Sequence, residues 1–472
     1  MDKAEAERLY DSGKDPTVEK ILDYDRENRE LKEKVARLER TSQSSSKPPS
    51  SDVTRERNGQ KRQHASSPKR KAGGQPGHPG NHRNLLPPEQ VDEAIECFAL
   101  ECRDCRHFEQ CRAQAVRQPP VSRWQVTEIP PLKPTVTEYQ LYTLCGECGK
   151  AHPATLPVEV GRSNFGPRLT AMIAYFTAVL KQPRRVVQDC FQTVFATTIA
   201  LGSTQNLLTQ TSQALAPIEK ALKNALPQQP VINADESGWY KRWVWVFVTS
   251  VFVYFHIDAS RGSAVLKTVL GDIYKGILCV DRWGAYTKYH KGLIQLCWAH
   301  LKRDIRAIKN MGKSLSSQQA CSFARRMEYR RKKLMKLWYR YKTGMIKRKR
   351  LIDLSKPIRL GMEKCLHHYC HSPDRSVRSL ARRLYKLRAH LFTFISHEGV
   401  EPTNNAAERT IRVAVIWRKI CFGNKTDAGA IASARLLTAT RTCWLQKRNA
   451  LEFLVEVITA YRKGIPAPLL ST

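Results

Sequence analysis

Three acidic residues stand apart from the rest of a strongly basic chain. Asp235 follows the apolar start of PVINADESGWY, Asp281 follows that of GILCVDRWGAYTKY, and Glu408 lies in EPTNNAAERTIR, residues 401–412. Hard divalent cations such as Mg²⁺ take oxygen ligands and keep some of their own waters, so converging carboxylates suit them. A set holding two such ions about 4 Å apart suits in-line displacement at a phosphodiester, activating the attacking oxygen and stabilising the leaving one. In a chain of formal charge +36, converging acids are costly unless cations neutralise them. A plainer reading exists for Glu408 alone. Asn404 and Asn405 are good N-caps followed by helix formers, so a helix begins here and its glutamate suits a capping box.

The cysteines form a second set. CRDC places Cys102 and Cys105, and CGEC, after 39 intervening residues, places Cys145 and Cys148. Between them SRWQVTEIP and TVTEYQLYTL predict two strands, so the second knuckle closes a hairpin. Paired CxxC knuckles suit a tetrahedral Cys₄ zinc site, structural because four thiolates leave no open position; Cys97 and Cys111 are alternative ligands. Fourteen cysteines without a secretory-type leader point to a reducing compartment, where metal ligation and core filling outweigh disulfides. His300 makes a CxxH half-site with Cys297, but no second half-site follows closely, and a core histidine is the alternative. CLHHYCH, residues 365–371, is also rich in ligand types.

The elements that must position the acids have a readable order. After Pro230 come a short apolar strand ending at Asp235, a hairpin over 243–257 turning at Thr249-Ser250, a helix near 262–271, a buried strand ending at Asp281, and a fifth strand in LIQLCWAH. Strand, hairpin, helix, strand, helix, strand is the order of a ribonuclease-H-like sheet. In that fold the acids ending the first and fourth strands meet on one edge, and a third acid on a helix after the fifth strand completes the site. Glu408 is the candidate third acid.

The expected class is therefore α/β, with a ribonuclease-H-like core over 229–300 and 398–465. A helical insertion over 301–397 interrupts it. That segment holds 27 Lys and Arg against 5 Asp and Glu, and so 22 of the 36 net charges. Its runs, including RRMEYRRKKLMKLWYRYKTGMIKRKR, read as a DNA-clamping surface rather than a merely solubilising bundle, with Lys347, Arg348, Lys349 and Arg350 as candidate phosphate contacts. Arg409, Arg412, Arg418 and Lys419 flank Glu408 and are further candidates; a solvated basic helix face is the alternative.

Upstream, residues 1–40 read as a coiled-coil dimerisation helix. Ile21, Tyr24, Asn28, Leu31, Val35 and Leu38 follow 3-4 spacing, and a lone Asn at an a position favours a parallel pair; a solvated amphipathic helix is the alternative. Residues 41–90 read as a basic linker rich in Ser, Pro and Gly, 91–160 as the zinc module, and 161–228 as helical, either a helix-turn-helix or an ordinary helical hairpin. No run reaches the length of a membrane helix, and the charge surplus implies nucleic acid rather than membrane as partner.

At these residues the chain resembles the transposases of the insertion sequence 66 family, within the DDE superfamily. The motifs that carry the resemblance are GGQPGHPG, the paired cysteines, ADES, VDRWGAYTKY, CWAHLKRD, NNAAERTIR and WRKICFGN, from about residue 20 to about residue 465. The resemblance implies Asp235, Asp281 and Glu408 as ligands of two Mg²⁺ or Mn²⁺ ions, and His300 beside the scissile phosphate. It implies cleavage at the ends of a transposable element, then attack of the freed 3′-hydroxyl on target DNA, without a covalent enzyme intermediate. The implied partners are element-end and target DNA, a second copy or higher oligomer, and accessory proteins of the same element, in the bacterial cytoplasm at the nucleoid. Family members often carry Gly-Ser after the final aromatic, where this chain has Gly423-Asn424. No GxxxxGK is present, so nucleotide hydrolysis is not expected. The alternatives are a transposase-derived, zinc-containing DNA-binding regulator without catalysis, and a ribonuclease-H-like nuclease that cuts without transferring.

Overall fold

The computed structural model describes residues 10–38, 84–146, 149–157, 160 and 163–472. Most of the 41–90 linker and Cys148 lie outside the described residues. The helices and strands run, in chain order, α1 (Lys14–Leu38), α2 (Phe108–Ala115), β1 (Thr143–Cys145), β2 (Ala151–Pro153), α3 (Pro167–Ala178), α4 (Arg184–Phe195), α5 (Leu201–Ala214) and α6 (Ala216–Ala225). Then come β3 (Val231–Trp239), β4 (Arg242–Val248), β5 (Val253–Asp258), α7 (Ser263–Leu270), β6 (Ile277–Val280), α8 (Gly284–Tyr289) and β7 (Ile294–Leu296). The chain ends with α9 (Trp298–Ser314), α10 (Gln318–Lys342), α11 (Arg348–Tyr369), α12 (Arg375–Lys386), α13 (Thr393–Ser396), α14 (Asn405–Cys421), α15 (Asp427–Leu445) and α16 (Ala450–Lys463).

The main sheet has five strands in the order β5-β4-β3-β6-β7. β3, β4 and β5 form an antiparallel meander, while β6 and β7 add in parallel on the other side of β3. This mixed α/β arrangement is consistent with the expected ribonuclease-H-like core. Every residue of β6 and β7 is buried, as parallel strands covered on both faces require. The crossover helix α7 buries Val265, Leu266, Val269 and Leu270 along one face. Full burial of such side chains contributes about 1.5–3 kcal/mol each.

The outer edge of β5 is closed by side chains rather than by another strand. Thr438 and Thr442, one turn apart on α15, accept from the amides of Phe255 at 2.9 Å and Val253 at 3.1 Å. The Thr442 hydroxyl donates in return to the Val253 carbonyl at 3.0 Å. Covering an edge strand's unpaired groups in this way removes a template for aggregation.

Helices α3–α6 pack onto this core. Arg435 of α15 binds Glu219 of α6 at 2.8 Å, and Arg462 of α16 donates to the Thr170 hydroxyl, Gln210 Oε1 and the Phe165 carbonyl. α5, the second helix of the candidate helix-turn-helix, buries Leu207, Leu208 and Thr211 and packs against α3 and α16. Between β7 and α14 the insertion is helical as expected, with α9 to α12 packed successively against one another.

Of the two strands expected between the cysteine knuckles, SRWQVTEIP does not form and TVTEYQLYTL forms only at its end, Thr143 and Leu144. Residues 121–142 carry no strand, and the short pair β1–β2 instead flanks the second knuckle, with Cys145 opposite Ala151. Pro130, Pro131 and Pro134 fill the connection between the two expected runs, where they remove amide donors that a tight hairpin turn would use. Among the described residues no helix is long and apolar enough to cross a membrane.

Candidate active site

Asp235 lies in the middle of β3, not at its end. Parallel pairing with β6 stops at Asn233, while the antiparallel ladder with β4 carries β3 on to Trp239. Asp235 therefore sits where the parallel half of the sheet has ended, on the opposite face from buried Ile232, Ala234 and Glu236. Asp281 comes immediately after β6, and its Oδ1 accepts from the Trp283 amide at 2.7 Å. That bond is an Asx-type turn that opens α8.

Glu408 is in the first turn of α14 but is not part of a capping box. Asn404 is the N-cap residue and offers no side-chain cap bond. Its side chain instead crosses to β3, donating to the Ala234 carbonyl at 2.7 Å and accepting from Asn233 Nδ2 at 3.0 Å. Its backbone amide donates to Cys297 Sγ at 3.1 Å. The Trp298 amide reaches the Pro402 carbonyl at 2.9 Å, so the starts of α9 and α14 are laced together beside Asp235.

Glu408 faces this junction. Its Oε1 lies 3.4 Å from Cys297 Sγ and 3.2 Å from His300 Nδ1, and its Oε2 lies 3.8 Å from Arg303 Nη2. The His300 contact is within ion-pair distance but out of line for a hydrogen bond. His300 and Arg303, three residues apart on α9, present one face to the carboxylate. The expected phosphate-facing histidine thus rests against the third acid.

Electrostatics separate the acids into two states. Burial, then the charges of Glu236, Asp281 and Glu408, push the Asp235 carboxyl well above the usual carboxylate range. Burial also acts to raise Glu408, but His300, Arg303 and Cys297 outweigh it and hold the carboxyl below its ordinary value. Burial opposes a charged His300, yet Cys297 and Glu408 prevail and lift it to about 10. Among the described residues neither Asp235 nor Asp281 has an ion-pair partner.

Glu236, adjacent to Asp235, has a different fate. Its buried carboxylate accepts from Arg261 Nε at 3.0 Å and Nη2 at 2.8 Å, and from the Tyr286 hydroxyl. The Arg261 guanidinium lies 4.6 Å from the Trp243 ring and 4.1 Å from the Trp283 ring. This is a paired, stacked structural charge, whereas Asp235 lies on the other face of β3.

Two of the candidate phosphate contacts turn inward. Arg348 donates to the carbonyls of Phe394, Ile395 and His397 and to the Tyr341 hydroxyl, joining the start of α11 to α13. Arg418 donates to the Gly238 carbonyl of β3. Lys347, Lys349, Arg350, Arg409, Arg412 and Lys419 are exposed. A shallow depression of about 470 Å³ on α10 is lined by Arg331, Lys332, Lys336, Tyr339 and Arg340.

The cysteine knuckles do not converge among the described residues. Cys102, Cys105 and Cys145 are exposed, as are the alternatives Cys97 and Cys111. The one group of three ligand-type side chains with donor atoms within 4.8 Å of one another, among the described residues, is Cys297, His300 and Glu408. Sequence reasoning noted Cys297 and His300 as a half-site lacking a partner, and the partner comes from 108 residues beyond His300. It missed Asn404 as a tie between elements and Arg303 as a carboxylate partner, although the i, i+3 spacing of His300 and Arg303 carried that signal.

The family model described as Transposase IS66 family matches residues 162–432, more than half of the chain. A family of unknown function matches residues 4–84. The uncharacterized protein y4qI of Sinorhizobium fredii is 23% identical over 264 residues, covering 50% of this chain and 47% of that protein. The matched region thus spans about half the length of that curated relative.

Proposed function

The chain belongs to the Transposase IS66 family, and on that premise we propose that it is a DNA transposase acting by cation-dependent phosphoryl transfer. The observation that carries this reading is the electrostatic pressure within the acid set. Asp281 and Glu408, from distant segments, both bear on Asp235, and no described cation pairs with Asp235 or Asp281. Such a set fits hard divalent ions, and Asp235, Asp281 and Glu408 would hold Mg²⁺ or Mn²⁺. When bound, these ions supply activation of the attacking oxygen and stabilisation of the leaving one.

The chain's own groups supply the rest. Asn404 holds the Glu408 helix against the Asp235 strand, and His300 with Arg303 keeps Glu408 ionised. Cleavage at an element end and attack of the 3′-hydroxyl on target DNA are both in-line displacements, so one acid set serves both. Lys347, Lys349, Arg350, Arg409, Arg412 and the basic depression on α10 bind phosphates through charge. The exposed Ile21, Leu31 and Val35 of α1 suit pairing with a second copy, which brings two DNA ends together.

The test is Glu408→Gln, which keeps shape while removing the charge. Nicking and strand transfer in Mg²⁺ should fall below detection while binding to element-end DNA persists. Full activity in this variant would overturn the reading. Inactivity of the unmutated protein, with the element's accessory proteins supplied, would favour a DNA-binding regulator.

A further inference from the structure

We propose that Cys297, His300 and Glu408 form a second cation site, selective for a borderline-soft divalent ion of the Zn²⁺ class, and that an ion seated there withdraws Glu408 from the acid set. The second half of this proposal rests on the function proposed above; the binding half does not.

The donor chemistry differs from that of the acid set. Thiolate and imidazole suit Zn²⁺ and are poor ligands for Mg²⁺, which prefers oxygen. Two distant segments deliver the ligands: Cys297 and His300, the N-cap and first turn of α9, and Glu408 in the first turn of α14. Tetrahedral zinc has bonds of about 2.3 Å to sulfur and about 2.0–2.2 Å to nitrogen and oxygen. Those lengths put sulfur and oxygen about 3.5 Å apart, and nitrogen and oxygen about 3.3 Å apart. The corresponding separations here are 3.4 Å for Cys297 Sγ to Glu408 Oε1 and 3.2 Å for His300 Nδ1 to the same oxygen. The two edges therefore already have the spacing of a zinc tetrahedron, with a fourth position left for water.

The surroundings support the same reading. His300 Nδ1 is buried and faces Glu408 Oε1 at ion-pair distance without an aligned hydrogen bond, so a cation seated there would take the place of the imidazolium proton. Cys297 Sγ accepts the Asn404 amide at 3.1 Å, an outer contact that orients the sulfur. Arg303 approaches Oε2 and leaves Oε1 to the cysteine and histidine. Because Glu408 belongs to both sets, a soft ion at this position competes with the hard ions of catalysis. Zinc then acts as a brake on the reaction.

The full-length protein tests this by its zinc content after equilibration with excess Zn²⁺ and gel filtration. Cys297→Ser and His300→Asn should each hold one zinc per chain fewer than the unmutated protein; the N-terminal cysteines are common to all three and cancel. Equal zinc content in His300→Asn, whose side chain is partly exposed and whose fold is checked by circular dichroism, overturns the site. Zn²⁺ titrated into a nicking assay at saturating Mg²⁺ should inhibit the unmutated protein. The inhibitory concentration should rise at least tenfold in Cys297→Ser, each protein being compared with its own zinc-free rate. Zinc loss in the variants without inhibition of the unmutated protein overturns the brake and keeps the site. If no protein nicks DNA, the transposase reading fails while the zinc count still decides the binding proposal.

Discussion

Asn404 donates its side-chain amide to the Ala234 carbonyl at 2.7 Å, joining the helix that carries Glu408 to the strand that carries Asp235 across 170 positions of sequence. The same residue accepts from Asn233 and donates its backbone amide to Cys297, so three of the segments that build the site meet on one buried residue. The spacing of the acids is thereby set by a neutral amide, which adds no charge to an already crowded anionic set.

Asn404→Ala should therefore weaken both fold and site. Two side-chain hydrogen bonds are lost in a buried place, leaving Asn233 Nδ2 and the Ala234 carbonyl short of partners, at about 1–3 kcal/mol each. Denaturant titration should show a loss of about 2–4 kcal/mol, and nicking should fall at least tenfold. A loss under about 0.5 kcal/mol would mean that water replaces the amide freely and that the tie is incidental.

Asp235→Asn should stabilise the protein when divalent cations are removed. The raised pKa of Asp235 means that the folded state resists its ionisation. Its contribution is fully present below the ordinary value of 3.8 and is lost as pH rises through the elevated folded value. In EDTA at neutral pH the asparagine variant should melt higher than the unmutated protein. Mg²⁺ at tenfold its dissociation constant should then raise the stability of the unmutated protein by about 1.4 kcal/mol and that of the variant by less. Identical responses to Mg²⁺ would count against Asp235 as a ligand.

The basic run at the start of α11 should divide into two kinds of residue. Neutralising Lys347, Lys349 and Arg350 together should reduce the slope of log affinity against log salt by about 2.7, at about 0.9 per phosphate contact. Arg348→Ala should instead lower stability, by about 2–4 kcal/mol, because it abandons three carbonyls and the Tyr341 hydroxyl. A salt slope that moves only with Arg348 would reverse this assignment.

Gly423→Ala should be poorly tolerated. Gly423 has φ +86°, and a β-carbon there would stand 2.8 Å from Tyr240 Cβ and 2.9 Å from the Tyr240 amide nitrogen. Backbone cannot yield as a flexible side chain can, so the cost should exceed the ~1 kcal/mol of an ordinary left-handed substitution. A melting temperature within a degree of the unmutated protein's would show that the Gly423 loop moves aside without loss. The neighbouring Asn424 accepts from Trp239 Nε1 at 3.1 Å and from the Ser433 hydroxyl at 2.8 Å, which explains how asparagine serves at this place.

Much of the part of the fold that carries Asp235 and Asp281 was legible from short-range pattern. The dense β-branched and aromatic run of 242–258, broken at Thr249-Ser250, forms β4 and β5 because β-propensity and a turn are local properties. The apolar face of α7 and the helix start beside Asn404 follow for the same reason. So does the placing of Asp281, since a polar residue closing a short apolar run marks where a buried strand surfaces. The resemblance through ADES, VDRWGAYTKY and NNAAER then ordered the three acids. What only the tertiary structure decided is where long or branched polar side chains spend their bonds. Arg348 and Arg418 read as free cations in a basic run, yet each reaches backbone carbonyls of another element. β3 runs past Asp235 because β4 folds back along it, and ladder length depends on the partner strand. Cys297 and His300 lacked a third ligand in sequence because Glu408 lies beyond the whole helical insertion. Local sterics choose helix or strand, but the distance between residues a hundred positions apart depends on how every element between them packs.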